Sequence, residues 1–259
     1  MSSLARYFVF TVVFIGLTLG RGLAFSSSNL VQCPQKNKLQ QGFHKTFPKL
    51  QFEIIRIDPS QVKGLCQIQI KIGARIHLLY ADSRGEFVFA GNLHELNTGR
   101  NLTQETVQLL NRLTPEELLL IESLTALTLG QGKKVIYLAT DPQCPYCKQA
   151  ETLLKKLVQK EDLMVRFLFF PMDSHKGARE QCISILCDNK GIEGYDSGYR
   201  SENQCPEGVK KVDDTIAFMN KKGIDSTPTF IFMDGIHLSG LLSEEALRDR
   251  LGLSKPLPK

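Results

Sequence analysis

Two cysteines, two residues apart and set between a β-like run and a helix-like run, constrain this chain more than any other feature. The stretch reads Thr140-Asp141-Pro142-Gln143-Cys144-Pro145-Tyr146-Cys147-Lys148. The apolar run Val135 to Ala139 leads into it, and Gln149 to Gln159 leads out with helical patterning. This places Cys144 at a helix N-terminus, where unpartnered backbone N–H groups and the helix dipole favour negative charge. Pro145 suits the first helical position, since its missing N–H has no intrahelical acceptor to lose. Such surroundings lower a cysteine pKa from about 8.5 to roughly 3.5–7.5, which predicts an exposed thiolate at neutral pH. Cys147, one turn on and deeper, is placed to attack the Cys144 sulfur once that sulfur carries a substrate.

The competing reading of a Cys-x-x-Cys pair is half of a zinc site. Zinc needs three or four ligands, usually from a second pair at matching spacing. The chain has no second Cys-x-x-Cys, and His44, His77, His94, His175 and His237 are scattered without ligand spacing. No metal and no cofactor is expected, and no phosphate-binding loop is present. The net charge of +5 is too mild for a nucleic-acid partner, and no basic stripe is visible.

Seven cysteines around one redox motif suit an oxidising compartment. The N-terminus agrees. Arg6 precedes an uncharged run from Tyr7 to Gly20, and Gly22-Leu23-Ala24 offers a small-x-small cleavage site. Residues 1–24 are therefore expected to be a cleaved signal peptide. The apolar run falls short of the roughly 20 residues that span a bilayer.

Residues 25–50 are polar and weakly patterned, and are expected to be in part without fixed structure. Gln51 to Ile57, Cys66 to Ile72, Ile76 to Ala81 and Glu86 to Ala90 then read as strands of a small antiparallel meander. The open edges of such a meander invite pairing with another chain. Thr103 to Arg112 reads as a helix. A second helix opens at Thr114-Pro115-Glu116-Glu117, a strong start signature, and is expected to run to Gly130-Gln131-Gly132. The pattern continues with strand Val135 to Ala139, the helix after the cysteines, and buried strand Met164 to Phe170. Helix Ala178 to Cys187, a loop over 188–208, helix Glu207 to Lys221, strand Phe230 to Met233, an Asp234-Gly235 hairpin, Ile236 to Ser239 and a helix capped by Ser243 follow. That order is a thioredoxin fold with inserted helices. Pro228, just before a strand, is unusual inside a fold. The Thr227-Pro228 bond is expected to be cis, with its loop lying against the nucleophilic sulfur as a substrate-binding ledge.

The chain resembles the DsbC/DsbG family of periplasmic thiol–disulfide isomerases. The resemblance rests on Thr140 to Gln149, on Val165-Arg166-Phe167-Leu168-Phe169-Phe170-Pro171 and on Thr227-Pro228. Cys-Pro-Tyr-Cys with Asp141-Pro142 before it and Lys148-Gln149 after it is most like DsbG. Cys187 and Cys205 resemble the second, structural disulfide pair of DsbC. The resemblance implies an α+β/α/β architecture in four parts. These are a signal peptide (1–24), a small antiparallel, cystatin-like N-terminal dimerisation domain (25–100), a helical linker (101–132) and a thioredoxin-like catalytic domain (133–259). It implies a V-shaped homodimer, with Glu86 to Gly91 as the candidate pairing strand. Misfolded or oxidised exported proteins would be the substrates, and a DsbD-like membrane thiol reductase the electron source. Disulfide isomerisation or reduction is the expected activity; reduction of cysteine sulfenic acids and redox-independent chaperone-like binding are the alternatives. Cys182 is expected to be a small buried apolar residue. Cys33 and Cys66 either pair or stand as two buried thiols.

Overall fold

The computed structural model describes residues 32–253; the expected signal peptide lies outside the described residues. The first element is helix α1, Lys36–Thr46. It gives regular structure to Lys36–Thr46 within the weakly patterned stretch 25–50. Leu39 and Phe43, four residues apart and so on one helix face, are both buried against Ile54, Ile68, Ile70 and Ala81. Only these two apolar positions carry the helix, which is why the pattern was faint.

Strands β1 (Glu53–Pro59), β2 (Leu65–Ile72), β3 (Arg75–Asp82) and β4 (Val88–Phe89) form one antiparallel meander in the order β1-β2-β3-β4. On β2, Cys66, Ile68 and Ile70 alternate inward, as the period of two requires. The last strand is shorter than expected, with only Val88 and Phe89 paired to β3. A disulfide joins Cys33 to Cys66, S–S 2.01 Å, and pins the segment before α1 to the sheet.

A small hairpin, β5 (His94–Glu95) and β6 (Arg100–Asn101), leads into α2 (Leu102–Leu110). Asn111 after α2 bonds the backbone N–H of Ile76 at 2.9 Å and its carbonyl at 2.8 Å, occupying an edge of β3 as a strand would. Helix α3, Pro115–Ser123, carries the anticipated capping box between Thr114 and Glu117. It stops well before Gly130. Residues Leu127–Leu129 form strand β7, antiparallel to the strand over Leu163–Phe169. Unpaired backbone groups along that strand's edge need a partner, and this tertiary demand outweighs the helical propensity of the leucines.

The second sheet has five strands in the order β11-β10-β8-β9-β7. Its centre is β8 (Lys134–Thr140), parallel to β9 (Leu163–Phe169) and antiparallel to β10 (Thr229–Phe232), which turns back into β11 (His237–Ser239). The Asp234-Gly235 turn requires glycine, because a Cβ there would lie 2.1 Å from the Leu113 carbonyl oxygen. Side chains of β8 alternate between two cores. Ile136 and Leu138 pack with Ala150, Leu154 and Leu157 of α4 (Pro145–Lys160) and with Leu247 of α8 (Glu244–Arg250). Tyr137 and Ala139 pack on the other face with Ile121 of α3 and with Phe218 and Met219 of α7 (Pro206–Lys221). Burying a leucine such as Leu154 stabilises by about 1.5–3 kcal/mol.

Between β9 and α7 lie α5 (Ala178–Cys187) and α6 (Gly191–Ser197). Helix α6 falls in the region expected to be loop. Its glycines disguise it, and Tyr195, stacked on Phe169 with ring centroids 5.5 Å apart, holds it in place. A disulfide between Cys187 and Cys205, S–S 2.06 Å, brackets this insertion.

Candidate active site

Strand β8 ends at Thr140, and the chain turns through Asp141 into α4. Asp141 is fully buried, and its carboxylate sets the shape of the turn. It accepts the N–H of Gln143 and the N–H of Met172, each at 2.7 Å, and lies 2.7 Å from His175 Nδ1. The Asp141 carbonyl accepts the Cys144 N–H at 3.1 Å. Aspartate suits this position because a carboxylate can take several donors at once.

Cys144 is the N-cap of α4 and Pro145 its first residue. The Cys147 N–H donates to Cys144 Sγ at 3.3 Å, so the sulfur meets the positive end of the helix directly. The Thr227-Pro228 bond is cis. The Cys144 thiol faces the Thr227 carbonyl at 3.6 Å, and Pro228 is buried beneath. Cys144 is only 5 % exposed, which corrects the expectation of an open sulfur. The N-cap position folds the side chain back over the first turn, and the proline loop covers it from the other side. Pro145 and Tyr146 form the exposed lip, with Tyr146 59 % exposed.

Cys147 is fully buried one turn in. Burial pushes its thiol up to about 12, opposed by the hydroxyls of Thr227 and Thr140 and by the Asp141 backbone. Neither Cys144 nor Cys147 is in a disulfide here. Among the described residues no group of three or more His, Cys, Asp or Glu is placed to hold a metal ion. The third free cysteine, Cys182, sits in the core against Ile183 and Tyr195, and burial raises its thiol well above the ordinary range.

The structure brings Cys144, Cys147, Pro145, Tyr146, Thr227 and Pro228 into one site. The Cys187–Cys205 disulfide lies apart, at the end of α5 and the start of α7. Three residues near the site escaped the sequence reading. His175 carries no ligand or triad spacing in the sequence to mark it. Glu151 lies four residues after Cys147 on the buried face of α4 and is 4 % exposed. Its signal was legible: Cys147, Ala150, Glu151 and Leu154 trace one helical stripe, and a glutamate in an apolar stripe is anomalous. Tyr195 lies in the glycine-rich segment that folds as α6.

The thioredoxin-like domain family matches residues 122–254, and the chain belongs to it. The disulfide bond isomerase protein N-terminal domain matches residues 31–104, over the meander and α1. The chain is 27 % identical over 224 residues to the probable thiol:disulfide interchange protein DsbC of Bordetella avium, covering 84 % of this chain and 75 % of that protein. The protein of the same description from Bordetella pertussis is 26 % identical over the same spans. Among solved structures, the catalytic domain of Proteus mirabilis ScsC aligns with a TM-score of 0.44 at 18 % identity, over 53 % of this chain and 96 % of that one. Thiol:disulfide interchange is the class of chemistry that this domain pair defines, and the chain is a thiol–disulfide oxidoreductase.

Proposed function

We propose that the chain is an exported disulfide isomerase and reductase, with Cys144 as nucleophile and Cys147 as resolving thiol. The observation that carries this reading is the Cys147 N–H aimed at Cys144 Sγ at the start of a 16-residue helix. A helix N-terminus stabilises the thiolate, which is the attacking species in exchange. Cys144 attacks one sulfur of a non-native disulfide and forms a mixed disulfide, and the other sulfur leaves as thiolate. If a substrate thiol then displaces Cys144, the disulfide has moved and the protein emerges reduced. If Cys147 displaces it, the substrate is reduced and the cysteine pair is oxidised. With Cys144 only 5 % exposed, an extended substrate segment approaches along the lip of Pro145 and Tyr146 and beside the Thr227-Pro228 loop. Pro228 carries no N–H that would compete there.

Work on exported proteins requires a periplasmic location, reached by secretion through the inner membrane with residues 1–24 as a cleaved signal peptide, and reductant delivered by a membrane thiol reductase of the DsbD type. The N-terminal domain is read as a homodimerisation unit, followed by a linker that begins at 101 and ends before β7, since Leu127–Leu129 already belongs to the catalytic sheet rather than to a linker reaching 132. The outer edge of β4 supports dimerisation: Phe87, Val88 and Phe89 are 70 %, 39 % and 49 % exposed on a sheet edge with no strand beyond it among the described residues. The test is refolding of a disulfide-scrambled protein. The wild type restores its activity, and Cys144→Ser does not. Equal restoration by both would overturn the assignment.

A further inference from the structure

The turn that delivers Cys144 is tied to a neighbouring segment by contacts that thiol exchange as described does not use. Between β9 and α5, residues Met172 to Lys176 lie along this turn, and two bridges join them to it. In the first, the Met172 N–H and His175 Nδ1 converge on Asp141 Oδ2, each at 2.7 Å. In the second, the Gln143 side-chain amide donates to the Lys176 carbonyl at 3.0 Å. The segment is itself a turn. The His175 N–H donates to the Met172 carbonyl at 2.9 Å, and the Ala178 N–H to the His175 carbonyl at 3.1 Å. These bonds fix the backbone of His175 while its ring reaches Asp141.

The Asp141 side chain is 0 % exposed and that of His175 is 29 % exposed. A buried carboxylate is costly unless its lone pairs are met by donors. Two donors to Asp141 are backbone N–H groups, those of Gln143 and Met172. The third is His175. A ring nitrogen facing an ionised carboxylate is the donor, because the carboxylate can only accept. Asp141 in turn holds the nucleophile's approach twice over. Its carboxylate takes the Gln143 N–H at 2.7 Å, and its carbonyl takes the Cys144 N–H at 3.1 Å. The contacts therefore run from His175 to Asp141, then to the backbone of Gln143 and Cys144, and end at the sulfur that caps α4.

We propose that His175 is a positioning residue for the nucleophile: through Asp141 it holds the turn that seats Cys144 Sγ at the start of α4, and so sets how readily Cys144 ionises and attacks. The inference rests on the reading of Cys144 as the nucleophile. Without the His175 donor, the Asp141 carboxylate stays buried with two donors in place of three. Its charge, less fully met, disfavours a second negative charge three residues later on Cys144. The turn also loses one of its ties to the 172–176 segment. Cys144 then needs a higher pH to react. The bond is made by Nδ1, the nearer ring nitrogen. Asparagine, whose amide nitrogen takes the place of Nδ1, can replace it. Glutamine, whose amide lies one bond further out, cannot.

The test is the rate of iodoacetamide labelling of Cys144 in the reduced native protein, read by peptide mapping from acid to alkaline pH. Labelling joins the Cys144 sulfur to the reagent carbon and releases iodide, so its rate follows the thiolate. His175→Gln is expected to slow labelling near neutral pH about tenfold, the scale of one lost hydrogen bond to a charged group. It is also expected to move the pH profile toward alkaline pH. His175→Asn keeps the donor and is expected to stay within about twofold of the wild type. The two variants carry the same amide and the same charge, so a general loss of packing does not reproduce a difference between them. If His175→Gln does not fold, His175→Ala takes its place with the same expectation. A wild-type profile in His175→Gln or His175→Ala would overturn the inference, as would equal slowing in His175→Asn. Cys144→Ser tests the underlying reading separately: if it still unscrambles disulfides at the wild-type rate, Cys144 is not the nucleophile.

Discussion

The Cys147 backbone N–H lies 3.3 Å from Cys144 Sγ, while the Cys147 thiol itself is fully buried. One cysteine receives the field of the helix, and the other is held protonated by burial, with its thiol pushed up to about 12. The two sulfurs are therefore unequal, and alkylation should reveal it. Brief treatment of the reduced native protein with iodoacetamide near neutral pH should label Cys144 alone. Peptide mapping that found Cys147 or Cys182 labelled first would contradict the geometry.

A second prediction concerns pH and stability. Burial raises the Glu151 carboxyl above its reference value of 4.5. The folded protein then holds this proton over a window in which the unfolded chain has released it. Stability from this group is present at acid pH and is lost as pH rises through the window. Glutamine has no proton to lose. Glu151→Gln should therefore gain stability relative to the wild type as pH climbs from acid to neutral, measured by denaturant unfolding. A constant difference across that range would show that Glu151 does not titrate abnormally.

The Cys187–Cys205 disulfide closes a separation of 18 residues around α6. Replacing both cysteines by serine should cost about 2–4 kcal/mol in unfolding free energy. Gly208 packs on this bond, since a Cβ there would lie 2.6 Å from Cys187 Sγ. Gly208→Ala should cost about 1–3 kcal/mol by overpacking, and less once the disulfide is removed. A double-mutant cycle with no coupling between the two would refute the contact.

At the edge of the first sheet, Phe87→Glu combined with Phe89→Lys should convert a dimer to a monomer, read as a halving of mass by light scattering. A wild type that is already monomeric at assay concentration would remove the dimer from the account.

Much of this was legible because local rules and the global fold agreed. Thr114 and Glu117 announced the start of α3, Asp234-Gly235 announced a hairpin, and the apolar run of β9 announced a strand buried on both faces. The misses share a cause: tertiary demand overrode local preference. Leu127 to Leu129 extend because the edge of β9 needs hydrogen bonds. Helix α6 exists because Tyr195 anchors a glycine-rich stretch to Phe169. The low exposure of Cys144 was not legible at all, because the covering loop at Thr227 lies 83 residues away in sequence.

The most direct measurement of the central claim is a trapping experiment. Cys147→Ser, mixed with a peptide carrying a single disulfide, should accumulate a covalent adduct through one cysteine. Mass spectrometry is predicted to place that adduct on Cys144. No adduct, or one on Cys182, would contradict the account.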